Sequence, residues 1–296
     1  MRNPFLKINM LIEGRNLRLP LTILFYNAIL SFVMLIFLFL NTETLQEGFY
    51  YDTSSYLHQF LIISSIQFGT VFLMVPFYVS GLYVSDREKY MLEQFSMIPG
   101  VNFQFVTAKI LLVMMTNGLM FLSSVPVIGL ACIYTGLGWQ KIIRLGLMVL
   151  LFSFWVGAVS IFFYSISNRL VWSFAGTVTA EFLFLIGSLL LVEFLRNGSL
   201  LLSGADTIPE GVSYLCLFLI LLNPLASYMG YYGNITGDNG LILYYCSHFG
   251  IDASGSWFSL LFYKLAGLAC ILTGIVFLGL AIRYMNKNSV RKVNRS

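Results

Sequence analysis

SDREKYMLEQFSMIP, residues 85–99, is a polar interruption between two apolar runs, Phe60–Val84 and Phe103–Tyr134. Its five charged side chains, Asp86, Arg87, Glu88, Lys89 and Glu93, are expensive in hydrocarbon, about 2.5–3.5 kcal/mol each at mid-depth on the most lenient scale. The segment therefore predicts an aqueous face, where the chain leaves one span and enters the next. Leu92, Phe95 and Ile98 fall on one side of a helix drawn through it. Residues 86–98 are thus expected to form a short amphipathic helix that a soluble partner can receive in a cleft.

Outward from this segment the chain is far too apolar for a soluble domain. Hydrophobic residues make up 58% of the 296 and charged residues 10%, against about 25% charged in an ordinary globular domain; mean hydropathy is +0.83. A spanning helix needs about 20 mostly apolar residues. Six runs meet that length: Leu19–Leu40, Phe60–Val84, Phe103–Tyr134, Ile142–Ile166, Leu170–Phe194 and Trp257–Tyr284. A seventh, Val212–Leu222, is only 11 residues long before Asn223-Pro224, so it predicts a re-entrant piece rather than a crossing. The expected fold is all-α and polytopic, one transmembrane domain over residues 1–296. Residues 1–20 are polar and basic, and no cleavable leader is expected.

Orientation follows from Lys and Arg, which accumulate in short cytoplasmic loops. With both termini inside, only Lys141, Arg144, Arg196 and Lys264 of the 17 Lys and Arg fall outside. The net charge of +4 is then explained by topology and anionic headgroups, and no nucleic-acid partner is implied. Residues 1–18 carry Phe5, Ile8, Leu11 and Ile12 at helical spacing with Lys7, Arg15 and Arg18 on other faces. They predict an interfacial helix ended by Pro20. On the outer side, residues 196–256 form a connection of about 60 residues, a length that marks function or disorder. Its Tyr228, Tyr231, Tyr232, Tyr244 and Tyr245 predict a lid whose rings sit at headgroup level.

Catalytic chemistry is sparse. No G-x-x-x-x-G-K-[ST] loop occurs, and His58 and His248 have no metal-ligand spacing to other His or Cys. Cys132 and Cys270 lie in spans as packing residues. Cys216 and Cys246 both belong to the outer region, where a disulfide between them is open. Glu181, midway along the fifth run, is a buried polar site, either functional or bonded to a neighbouring helix.

At residues 86–99 the chain resembles the permease subunits of ATP-binding-cassette (ABC) transporters of the type 2 exporter class. In that family the loop after the second span reads E-R-E-x-G-T-L-E-x-L-x-x-x-P, with G-K about ten residues later. Residues 86–99 and Ala108-Lys109 match in order and spacing, with Tyr90-Met91 replacing Gly-Thr and Ala108 replacing Gly. Asn3-Pro4 with Lys7 and Glu13, the turn 165–170, and Asn223-Pro224 are similar to family features.

The resemblance implies a half-transporter located in the cell membrane of a bacterium. Two permeases, identical or homologous, would pair, each docking a cytoplasmic ATPase that binds ATP and Mg. This chain would hold no cofactor and catalyse nothing. Asp86, Arg87, Glu88, Leu92, Glu93 and Phe95 would form the ATPase-docking coupling helix, and a hydrophobic or peptide-like substrate would move outward. Leu219, Leu222, Asn223 and Pro224 are expected to form the outer gate, because Pro breaks the seventh run there. The rival classes are a proton-coupled secondary transporter, for which Glu181 lacks a relay, and a lipid-modifying membrane enzyme, for which no cluster of reactive side chains is visible.

Overall fold

An apolar run long enough to cross a bilayer has to satisfy its own backbone, so it becomes a helix. The computed structural model describes residues 4–46, 53–83, 100–167, 169–203, 209–236 and 256–293, with no strand among them. In chain order the helices are α1 (Pro4–Gly14), α2 (Arg18–Gln46), α3 (Thr53–Tyr83), α4 (Val101–Thr135), α5 (Trp139–Ile166), α6 (Leu170–Phe182), α7 (Ser188–Ser203), α8 (Glu210–Leu221), α9 (Pro224–Thr236) and α10 (Ser256–Val293). A π turn, Leu183–Gly187, joins α6 to α7. Six stretches are long and apolar enough to span: Arg18–Phe39, Leu57–Gly81, Val101–Thr135, Trp139–Ile166, Val171–Leu201 and Leu261–Lys287. The protein is an all-α, multi-pass membrane protein. The segment 86–98 lies outside the described residues.

Two compact units divide the chain, Met1–Phe174 with Leu278–Ser296, and Ala175–Phe277. In the first, α3, α4 and α5 pack against one another, α2 lies on α3 and α4, and α1 lies on α4. Trp155, Val156, Ala158, Val159 and Ile161 of α5 are fully buried, whereas Leu24, Phe32, Leu35 and Phe39 of α2 are exposed. The α3–α5 seam is aromatic: the Phe68 and Phe152 rings meet edge-on at 4.8 Å, and Phe72 lies 6.4 Å from Trp155. The α4–α5 seam relies on small residues, as helix contacts in lipid do. A Cβ on Gly146 would stand 2.6 Å from the Phe121 ring, and one on Gly157 would stand 2.8 Å from Ile110 Cδ1. Gly136, at φ 68°, closes α4: its N–H reaches Ile133 O and the Leu137 N–H reaches Cys132 O.

The amino-terminal helix is shorter than the sequence predicts. It ends at Gly14, and Asn16 Oδ1 accepts from the Arg18 N–H at 3.1 Å to open α2. Pro20 therefore sits in the first turn of α2, where a missing N–H is tolerated. Ile8, Leu11 and Ile12 are exposed, while Asn9 is buried and Phe5 meets Phe105 edge-on at 5.8 Å. The fifth span also differs: helix continues through Arg196 to Ser203. The following connection accordingly begins later than residue 196.

Candidate functional site: the broken element after the fifth span

In the second unit, α8 starts after Pro209, whose carbonyl accepts from the Val212 and Ser213 N–H groups. It stops at Asn223-Pro224, because the proline has no N–H and its ring disfavours a helical residue before it. Proline at a first helical position is pre-set for a helix, and α9 begins there. Asn223 Oδ1 accepts from the Leu225 N–H at 2.8 Å, so the side chain that ends one helix caps the next. The two axes are bent by 87°. The pair is either a broken span or a re-entrant element.

The other end of the Asn223 amide reaches the π turn. Nδ2 donates to Leu185 O and to Ser188 Oγ, both at 2.9 Å, and Ser188 Oγ donates to Phe184 O at 2.7 Å. A π turn carries one residue more than the helical ladder needs and skips a carbonyl. Asn223 supplies a donor to the Leu185 carbonyl within that turn. Both amide protons and the amide oxygen are used, which is what a fully buried Asn away from water requires.

Around this joint lies an apolar seam of Val192, Cys216, Ile220, Ala226 and Phe262, with Leu219 packed against it. Leu222 is half-buried and Pro224 is buried. The four residues predicted as a gate thus form the packed corner of the bend. Further along α9, a Cβ on Gly230 would stand 2.7 Å from Tyr263 Cβ, and Ser227 Oγ donates to Tyr263 O at 3.2 Å. That close crossing holds α9 on α10. Tyr228 and Tyr231 are buried in protein: the bend turns these rings inward. Tyr244 and Tyr245 lie outside the described residues.

Cys216 is a buried free thiol 3.9 Å from Val192 O, facing the seam and not a disulfide partner. Cys246 lies outside the described residues. Cys132 and Cys270 are buried free thiols as well.

Glu181 is buried, and its Oε1 has no hydrogen-bond partner. Thr177 and Ser173, one and two turns before it, are also buried, so α6 carries a polar stripe spaced by four residues. That spacing is legible in the sequence. Among the described residues no group of three His, Cys, Asp or Glu can hold a metal ion.

Asp86, Arg87, Glu88, Leu92, Glu93 and Phe95 lie outside the described residues and are not brought to any site here. Lys109, counted from the sequence among the loop cations, is instead fully buried on α4, its Nζ 5.4 Å from the Phe105 ring centroid. Packing against an aromatic face offsets part of the cost of burying that ammonium. No family, curated protein or solved structure matches the chain.

Proposed function

We propose that this chain is the membrane subunit of an ABC exporter of the type 2 class. The observation that carries the reading is the charged segment 86–99, matching the family's loop pattern in order and spacing, with Ala108-Lys109 following at the family's interval. Six spans with one broken element between the fifth and sixth are compatible with it. In this reading both termini face the cytoplasm, and Glu88 and Glu93 orient the coupling helix on an ATPase that supplies ATP and Mg. Two permeases pair, and the α8–α9 bend closes the outer end of the path for a hydrophobic or peptide-like substrate. Glu181 then serves structure rather than chemistry.

The test is reconstitution of the chain with its ATPase and a second permease. Wild-type complex is expected to couple Mg-ATP hydrolysis to substrate movement. Glu88→Lys with Glu93→Lys is expected to insert normally and lose that coupling. Undiminished transport by the double variant sinks the proposal.

A further inference from the structure

Within the first unit, a cavity of about 640 Å³ runs between α2, α3 and α4 beneath the end of α1. That is within the usual size of a small-molecule site. Its two ends differ. At one end Glu13, Asn16 and Arg18 come together with Tyr78. The Tyr78 hydroxyl accepts from Thr116 Oγ1 at 3.2 Å and is hydrogen-bonded to Glu13. Away from that end the lining is apolar, with Phe25, Ile29, Met74 and Met120. Phe25, Ile29, Met74 and Phe77 are exposed, so the groove opens sideways to lipid.

Its length and depth fit one leaflet. Arg18 opens the first span and Gly81 closes the second. From Arg18 to Ile29 along α2, or from Gly81 to Thr70 along α3, eleven residues rise roughly 16 Å, about half of a 30 Å hydrocarbon core. The charged end therefore lies at headgroup level and the apolar end near the midplane. A carboxylate and a guanidinium lining one groove complement a headgroup carrying both signs: the guanidinium takes a phosphate, and the carboxylate takes an ammonium. A carboxylate accepts several hydrogen bonds, so the tie between Glu13 and Tyr78 does not exhaust it.

We propose that this groove is a binding site for a zwitterionic aminophospholipid, with phosphate on Arg18, ammonium on Glu13 and one acyl chain along Phe25, Ile29 and Met74. The site is independent of the exporter reading and stands or falls without it.

Gly81 offers a steric test. It lines the groove, and a Cβ there meets nothing within 4 Å. Gly81→Leu adds a branched side chain to the groove wall where the Cβ has room, and favours the helix.

The full chain, purified in detergent and exposed to equimolar phosphatidylethanolamine and phosphatidylglycerol of the same acyl chains, is read by native mass spectrometry. Wild type is expected to retain phosphatidylethanolamine preferentially. Glu13→Gln is expected to lose about tenfold in that preference, the size of one charge-assisted hydrogen bond. Gly81→Leu is expected to retain neither lipid, at unchanged thermal stability. Equal retention of the two lipids by wild type, no retention, or retention undiminished in Gly81→Leu overturns the proposal. Should Gly81→Leu fail to fold, the Glu13→Gln preference alone decides.

Discussion

Asn223 and Leu185, 38 positions apart, are joined by a 2.9 Å hydrogen bond from a side-chain amide to a backbone carbonyl. The bond ties the corner of a broken element to the widened turn of the preceding span, and each irregularity satisfies the other. Asn223→Ala removes both donors and the cap on α9. Losing a side-chain hydrogen bond costs about 0.5–1.5 kcal/mol, and a lost cap about 1 more. A lower melting temperature in detergent is expected. Asn223→Asp is expected to be no better, because an ionised carboxylate has no proton to donate to Leu185 O. Melting curves matching wild type for both variants would disprove the link.

The α9–α10 crossing permits no side chain at Gly230. Gly230→Ala forces the helices apart or bends them, at about 1–3 kcal/mol. Gly198→Ala, where a Cβ meets nothing within 4 Å, is expected to be neutral or to stabilise α7 by up to about 1 kcal/mol. Thermal unfolding of the pair separates close approach from helix propensity.

Glu181 carries an unpartnered carboxyl oxygen in a buried setting. Glu181→Leu is therefore expected to raise the melting temperature, gaining up to about 1–3 kcal/mol. In an ATP-driven exporter it leaves transport intact, whereas a proton-coupled carrier would lose it. Transport with and without an imposed proton gradient makes the distinction.

Lysine at Leu219 is expected to destabilise the fold whatever the gate does, since that side chain packs on the Val192–Ile220 seam. Leu222→Lys, at a half-buried position on the corner, is the cleaner probe of gating. It is expected to fold and to slow substrate release; release at the wild-type rate argues against a gate.

With the termini in the cytoplasm, Ser289→Cys is expected to resist an impermeant thiol reagent added outside, and Asp238→Cys to react with it. External labelling of Ser289→Cys contradicts the orientation.

The spans were legible because hydrocarbon imposes one rule, a sufficient apolar length, and that rule needs no neighbours. The break at Asn223-Pro224 was legible for an equally local reason: proline cannot continue a helix. The π turn was not. LFLIG, residues 183–187, is as apolar as the rest of its span, and what stabilises the wider turn is a donor far along the chain. The same holds for Tyr228 and Tyr231. Their type suits an interface, and only the bend turns them inward. Pro20 reads in the sequence as a helix end because a proline in a first turn and one after a helix differ only in what surrounds them.

The extra residue in the π turn has an angular consequence. In an unbroken helix, steps of 100° per residue would put Ser188 and Val192 within about 20° of Glu181 in azimuth. One inserted residue shifts everything after it by about 100°. The span is thus two half-helices out of phase, so that the half bearing the carboxylate and the half bearing Val192 look toward different neighbours. Deleting one residue between Leu183 and Gly187 would restore a regular helix and leave Val192 on the Cys216 seam, whereas forcing the full sequence into a regular helix would swing Val192 off that seam by about 100° and bring Ser188 round toward the side of Glu181.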